Sequence, residues 1–370
     1  MIKSIRFENY RAFKDEGSLV LKPVTLLLGR NSSGKSSLCR LVQFISYALK
    51  SNEWPSKETS STGFCTSYSD LFFQRNTSTL LIGADFEGGV GFRARYYDDR
   101  KSKMQLSYRE VYTKDDNKVE SDIDLLREKL NGILDDNSLV ELNVQRDMLS
   151  YDVTYIHSLR SGAKDVYRQV DADITDKVGS DGVGAYSILL NSYIKKTRLF
   201  DDVANWMEEN VDGQRVDIYR ELDNFYFKIY RAGNSVGIQE VGQGISQMLP
   251  IIVQSFVQRP HSVTIVEEPE LHLHPSAHAA VMERMAESAK QTNSIFVIET
   301  HSENMVLAVR RMVSRGLLSP DDVSIAFIDL DDDSGEASLK PIDVNSNGSL
   351  KWWPAGVFSE SYDLLNDILG

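Results

Sequence analysis

Apolar and polar positions alternate at the start of the chain, and the period then changes several times before the end. Residues 2–13 (IKSIRFENYRAF) alternate as an edge strand would, and Gly17–Leu21 has the composition to return antiparallel to them. The largely apolar run Val24–Leu28 predicts a buried strand. From Ser36 onward Leu38, Leu41, Ile45, Ala48 and Leu49 keep helical spacing until Ser51-Asn52 stops them. Residues 51–69 are rich in Ser, Thr and breakers and read as a surface loop. Three β-rich runs, Leu80–Phe86, Val90–Tyr97 and Met104–Tyr112, are separated by Gly88-Gly89 and by Asp98–Lys101, and they predict an antiparallel meander.

Between Thr113 and Ala232 the pattern is mixed: an amphipathic helix near Asp122–Leu134, a strand at Val153–Leu159, and helices near Tyr186–Tyr193 and Val203–Glu209. The apolar period is never sustained over three heptads, which excludes a long coiled-coil arm and leaves a compact, mainly helical insertion. After Gly233 strands and helices alternate: Val263–Val266, Ala277–Lys290, Ser294–Glu299, Glu303–Ser314 and Val323–Asp329. That order predicts a parallel sheet with right-handed crossovers. The expected divisions are therefore 1–112, 113–232, 233–336 and a small closing β and helix cap over 337–370.

Chemistry enters at the end of the first buried strand, where Gly29-Arg30-Asn31-Ser32-Ser33-Gly34-Lys35-Ser36 has the spacing of a phosphate-binding loop. Two glycines let the backbone wrap an anion, the loop amides and the following helix N-terminus point at phosphate oxygens, Lys35 adds positive charge, and the Ser36 hydroxyl suits Mg²⁺. The candidate nucleotide contacts are Asn31, Ser33, Gly34, Lys35, Ser36 and Ser37. Further on, Ser262–Val266 leads into Glu267-Glu268-Pro269, and Ile295–Ile298 leads into Glu299-Thr300-His301-Ser302. Ligands of parallel sheets sit at the carboxyl ends of the strands, so Glu267, Glu268 and His301 are placed at the nucleotide. The first carboxylate suits Mg²⁺ held through water, the second suits accepting a proton from the attacking water, and the imidazole suits the γ-phosphate or that water. Upstream, Val241-Gly242-Gln243-Gly244-Ile245-Ser246-Gln247 is a glycine-rich turn opening a helix, a second anion site in a chain that already has its own loop. The simplest use for it is a neighbouring subunit's nucleotide.

The segments GRNSSGKS, VGQGISQ, IVEEPELHLHP and ETHSE, in this order, resemble the ABC-type ATPases of the SMC, RecF and OLD clade. More closely, the chain resembles the small AAA-labelled bacterial ATPases of that clade with an uncharacterised C-terminal domain. Tyr155–Arg160 (YIHSLR) and Trp353–Phe358 (WPAGVF) are similar to segments of that group. The resemblance implies an α/β fold, an ABC-type phosphate-loop ATPase head with a mixed or parallel sheet, an antiparallel β subdomain and a compact helical insertion. It implies that ATP and Mg²⁺ are bound, that Lys35 and Ser36 hold phosphate and metal, that Glu267 is the metal-side carboxylate, Glu268 the general base and His301 the switch histidine, and that Arg11 lies near the nucleotide. It also implies a homodimer or higher homo-oligomer, with two heads enclosing two ATP molecules, each signature facing the partner's loop. Whether Gly242, Gly244 or Ser246 meets the γ-phosphate stays open, and Glu267 stands where Asp is more general.

The same resemblance suggests bacterial anti-phage defence, with the chain acting as a switch or sensor for a separately encoded effector. A scaffold that sequesters a toxin or nuclease with little turnover, and a DNA-repair or OLD-like nuclease component, are the alternatives. His272, His274 and His278 lie where the clade has a subunit-contact loop, which disfavours a metal site there. Asp329–Asp333 resembles the acidic motif of TOPRIM nucleases, but Ser334-Gly335 after it favours a hairpin turn, and too little chain follows for such a domain. Arg310, Arg311, Arg315, Lys195, Lys196 and Arg198 read first as solvated faces, with DNA contact as the sharper reading.

Composition narrows this only slightly. With 41 Lys and Arg against 54 Asp and Glu, the net charge is −13, which argues against nonspecific nucleic-acid binding by the whole body. No run reaches the roughly 18 apolar residues of a membrane span, and the N-terminus has no signal-peptide pattern, so no membrane partner and a cytoplasmic location are expected. Cys39 and Cys65 are too few for a disulfide framework.

Overall fold

The computed structural model describes residues 1–50, 68–76, 78–98, 104–113, 151–172, 177–354 and 357–358. The helix expected near 122–134, Cys65 and most of the loop expected over 51–69 lie outside the described residues. In chain order the elements begin with β1 (Ile2–Glu8), β2 (Gly17–Val20), β3 (Val24–Gly29), α1 (Lys35–Lys50), β4 (Leu80–Phe86), β5 (Val90–Asp98) and β6 (Met104–Thr113). There follow β7 (Val153–Ile156), β8 (Tyr167–Arg168), α2 (Gly184–Lys195), α3 (Arg198–Asn210), β9 (Arg215–Glu221), β10 (Asn224–Arg231) and β11 (Asn234–Gly237). The chain continues through α4 (Gln243–Val257), β12 (Val263–Glu267), α5 (Pro275–Thr292), β13 (Ile295–Glu299), α6 (Glu303–Ser314), β14 (Val323–Leu330) and β15 (Ala337–Ile342). None of the helices among the described residues is long and apolar enough to cross a membrane.

The chain forms two compact units. The first comprises Met1–Lys22, Leu27–Val153 and Ser324–Pro341. Its larger sheet has the order β2-β1-β4-β5-β6, antiparallel throughout. The meander appears as expected, but β1 is not an edge strand. It lies between β2 and β4, so both of its backbone edges are hydrogen-bonded. Ile2, Ile5 and Phe7 of β1 are fully buried, and the Phe7 and Phe13 rings meet at 4.8 Å. In the same unit β15, β14 and the last residues of β3 are neighbours in that order. The turn between β14 and β15 is closed by Gly335 N–H donating to the Asp331 carbonyl at 2.8 Å. The segment expected as a small β and helix cap from 337 begins as a strand beside β14.

The second unit comprises Pro23–Leu26, Thr154–Val323 and Ile342–Gly370. It holds the sheet order β3-β13-β12-β7, with β12 and β13 parallel in the register Val263↔Ile295 through Glu267↔Glu299. Every residue of β12 and β13 is buried, the pattern of strands covered on both faces. A second, antiparallel sheet is formed by β8, β9, β10 and β11. Val216 and Ile218 on β9, and Phe225, Phe227 and Ile229 on β10, point into a core shared with α2 through the fully buried Tyr167 and Tyr186. The described part of 113–232 thus contains strands as well as α2 and α3. The period-two burial of β9 and β10 is what a mainly helical reading of that stretch leaves out.

Candidate functional site

In the first unit, β3 ends at Gly29 and α1 begins at Lys35, so the intervening loop has no room for regular structure. Gly29, Ser32 and Gly34 have φ of 150°, 63° and 110°, a wrap that needs glycine at its two ends. A Cβ on Gly29 would also collide with the Ile328 carbonyl of β14. Lys35 is almost fully buried, and its ammonium donates to the Gly29 carbonyl at 3.0 Å and the Arg30 carbonyl at 2.7 Å. Its charge is therefore held over the loop. Ser33 is buried, and its Oγ has no hydrogen-bond partner among the described residues. Asn31 is exposed, while Ser36 and Ser37 are half-buried at the start of α1. Arg11 belongs to a run fastened to this helix: Tyr10 Oη donates to the Ser37 carbonyl at 3.0 Å, and the Phe13 ring packs against Gly34. Arg11 itself has left-handed backbone, with φ 53°.

In the second unit the parallel register sets Glu267 beside Glu299 at the carboxyl ends of β12 and β13. The next residue, Glu268, turns into left-handed backbone with φ 42°, a conformation a glutamate adopts only when its surroundings impose it. Its N–H donates to the Glu299 carbonyl at 2.8 Å. The turn brings Glu268, Glu299 and His301 together, with one ligand atom of each within 4.8 Å of the others. Glu270 orients the histidine segment, since its Oε1 accepts the His301 N–H at 2.5 Å. Burial raises the Glu270 pKa above the ordinary carboxylate value, against the opposing pull of that hydrogen bond.

Glu267 is placed differently. Its Oε1 accepts from Tyr155 Oη at 2.5 Å, and its Oε2 lies 3.3 Å from both His157 Nδ1 and the Ser158 amide. Burial pushes the Glu267 pKa up, but the hydrogen bonds from His157 and Tyr155 outweigh it and hold the group below the ordinary value. This carboxylate is ionised and already occupied by protein donors. The oxygens gathered with the histidine belong to Glu268 and Glu299, hard donors that a cation could use. Glu299 was not singled out by sequence as a ligand, and neither were Tyr155, His157 or Glu270. The acidic end of a second buried strand was the available signal for Glu299.

The glycine-rich turn opens α4 as expected, with Gly242 as its extended N-cap and no side chain capping the first turn. Gly244 is required by close approach, because a Cβ there would stand 2.7 Å from the His272 carbonyl. Ser246 is half-buried. Together with Leu159, Arg160, Gln243, Gln247 and His272, it lines a cavity of about 430 Å³. The remaining histidines have local partners. His274 caps α5 by accepting the Ser276 N–H at 3.3 Å, and His278 is 2.8 Å from Ser302 Oγ and 3.3 Å from the Leu273 carbonyl. Of the basic residues, Arg310 donates to the Gly348 carbonyl at 2.9 Å and Arg311 pairs with Glu283, whereas Lys195, Lys196, Arg198 and Arg315 are exposed.

Comparison with known proteins adds the family and the fold. Residues 24–308 match the family model described as "AAA domain, putative AbiEii toxin, Type IV TA system". Over 82 residues the chain is 28% identical to the DNA double-strand break repair Rad50 ATPase of Methanococcus maripaludis, an alignment covering 22% of this chain and 8% of that protein. The chain thus spans a small fraction of that relative's length. The Smc head bound to the C-winged helix domain of ScpA superposes with a TM-score of 0.55 at 14% identity, covering 93% of this chain and 98% of the other. The Smc head with an extended coiled coil bound to the C-terminal domain of ScpA from Pyrococcus furiosus gives 0.52 at 13% identity, covering 100% and 99%. The fold is that of an ABC-type ATPase head with mixed sheets.

Proposed function

We propose, for a chain that belongs to the AAA-domain family matched over residues 24–308, that it binds and hydrolyses ATP and dimerises head to tail around it. The observation that carries the reading is the left-handed turn at Glu268, which gathers its carboxylate with Glu299 and His301 at the ends of two buried parallel strands. Backbone strain at such a position is characteristic of functional sites. The phosphate loop supports the same reading, since a buried Ser33 hydroxyl without a partner among the described residues and a glycine-walled turn under Lys35 fit a phosphate group.

In this proposal the loop amides and Lys35 bind the phosphates, with Arg11, Asn31, Ser33 and Ser37 around them. Glu268 accepts the proton of the attacking water, and His301 orients that water or the γ-phosphate. Mg²⁺, when bound, supplies charge neutralisation for the phosphates. Ser36 would offer it a hydroxyl, and Glu267, whose oxygens are engaged by Tyr155, His157 and Ser158, would act toward it through water. The turn that carries Gly242, Gly244 and Ser246 faces the partner subunit's nucleotide.

The cycle of closing and opening drives a separately encoded effector in bacterial anti-phage defence. Support for an effector is the toxin–antitoxin wording of the family description and the Smc heads seen bound to ScpA domains. The test is ATP turnover and ATP-dependent molecular mass for the wild type, Lys35→Ala and Glu268→Gln. Lys35→Ala should lose nucleotide binding, and Glu268→Gln should bind ATP, stay dimeric and turn over slowly. Wild-type turnover in Glu268→Gln would remove it as the base. Co-purification with the product of an adjacent gene tests the effector.

A further inference from the structure

Arg160, a lone arginine after a serine and a leucine, is one of the most buried charges among the described residues, with 5% of its surface accessible. Its guanidinium makes no ion pair among the described salt bridges. Nη1 donates to the carbonyls of His157 and Glu267 at 2.9 Å each, and Nη2 donates to the carbonyl of Glu268 at 3.0 Å. Burial lowers its pKa to about 10, against the pull of Glu270, Glu268 and Glu267, so the group is charged at neutral pH. A buried charge whose hydrogen bonds among the described residues go to carbonyls is an expensive way to stabilise a fold, because an apolar side chain of similar volume would not need to be desolvated.

The other end of the same residue is gripped as firmly. Gln247, near the start of α4, accepts the Arg160 N–H at 3.2 Å through Oε1 and donates to the Arg160 carbonyl at 2.7 Å through Nε2. One side chain therefore pairs both backbone groups of Arg160, as a neighbouring strand would. The guanidinium fixes the carbonyl side of Glu268, and the Glu268 N–H is already fixed by Glu299. The left-handed turn at Glu268 is thus clamped on both sides, and one clamp runs continuously back to the helix that Gly242 opens. The 430 Å³ cavity beside Gln243, Ser246 and Gln247 lies on the input side of this link.

We infer that Arg160 is a positioning residue, a lever through which the first turn of α4, by way of Gln247, sets the backbone of Glu268 and hence the aim of its carboxylate. The inference rests on the ATPase reading for its consequence, but its geometry lies wholly within the second unit. A nucleotide phosphate arriving at the Gly242 turn would shift Gln247, carry the Arg160 backbone with it, and move the carbonyls of Glu267 and Glu268 through the guanidinium. The base would then be aimed only when the signature is engaged.

The test compares Gln247→Ala, which breaks the link without touching the buried charge, with Arg160→Lys, which keeps the charge and loses the fork, and with the double variant. Circular dichroism establishes folding, AMP-PNP with Mg²⁺ measures nucleotide affinity, and steady-state kinetics separate kcat from KM. The lever requires kcat to fall at least about tenfold in each single variant, with KM and AMP-PNP affinity within roughly twofold of wild type. It also requires the double variant to be no slower than the slower single, because both changes cut one connection. A folded Gln247→Ala with wild-type kcat, or a double variant whose losses multiply, overturns the lever.

Hydrogen exchange reads the same link without ATP turnover. In Gln247→Ala the amides of residues 267–271 should exchange at least about tenfold faster than in the wild type, and unchanged exchange there overturns the proposal. A wild type that turns over no ATP but shows this exchange response would refute the ATPase reading while upholding the lever.

Discussion

Tyr155→Phe removes one oxygen atom and nothing else from the support of Glu267, which makes it the sharpest perturbation this structure offers. The phenol and the carboxylate are both buried, at 4% and 6% accessible, and their hydrogen bond measures 2.5 Å. Phenylalanine keeps the ring contact with His157, whose centroid lies 4.6 Å away, so packing is conserved. A hydrogen bond to a charged group contributes about 1.5–3 kcal/mol, and the carboxylate retains its two longer contacts, so a loss of about 2 kcal/mol is expected. With an unfolding entropy of about 2.1 cal/mol/K per residue, that loss lowers the melting temperature of a chain this long by about 2–3 °C. Thermal unfolding at pH 7 of the wild type, Tyr155→Phe, Glu267→Gln and the double variant measures both the loss and its origin. The cycle should return a coupling of at least about 1 kcal/mol. A melting temperature within about 0.5 °C of wild type, or strictly additive losses, would refute the claim that the phenol donates to an ionised Glu267.

Glu267 also sets an acid limit. Its folded pKa is depressed, so the stability it contributes is fully present above the ordinary carboxylate value and is lost as pH falls through the folded one; Glu267→Gln should flatten the acid limb of a stability–pH curve. Gly244→Ala places a methyl group against the His272 carbonyl and should cost about 1–3 kcal/mol in urea unfolding; a neutral effect would mean that the α4 turn yields freely. Ser33→Ala deletes a buried hydroxyl that has no partner among the described residues, so stability should hold within about 0.5 kcal/mol while ATP affinity, measured by calorimetry, drops several-fold; unchanged affinity would remove Ser33 from the phosphate contacts.

What was legible in the sequence was local. The phosphate loop is eight consecutive residues between a strand and a helix, and β12 and β13 announce themselves as apolar runs ending in acids. The helix over Glu303–Ser314 has its apolar period and its Ser302 cap within one short stretch. What was hidden depends on distance along the chain. Tyr155 and Glu267 are 112 positions apart, so nothing near either residue says that one occupies the other. The central position of β1 is decided by β4, far downstream, and the same alternation would suit an edge. The segment Tyr155–Arg160 drew notice only by resemblance, because a buried arginine bound to carbonyls has no compositional signature. Glu268 follows directly on the end of β12, as the apolar run before it implies, but its left-handed backbone is a property of the turn and not of glutamate.

That turn has a consequence for anyone wishing to trap the protein. A side chain other than glycine, asparagine or aspartate is held at φ 42° against an intrinsic preference of about 1–2 kcal/mol. Replacing Glu268 with asparagine, which tolerates this region, should therefore release conformational tension and raise the melting point at the very position where the carboxylate is removed. Glutamine leaves the tension in place. Residue 268 would then be a site at which evolution has kept the less comfortable side chain, and at which the inactive protein is the sturdier one.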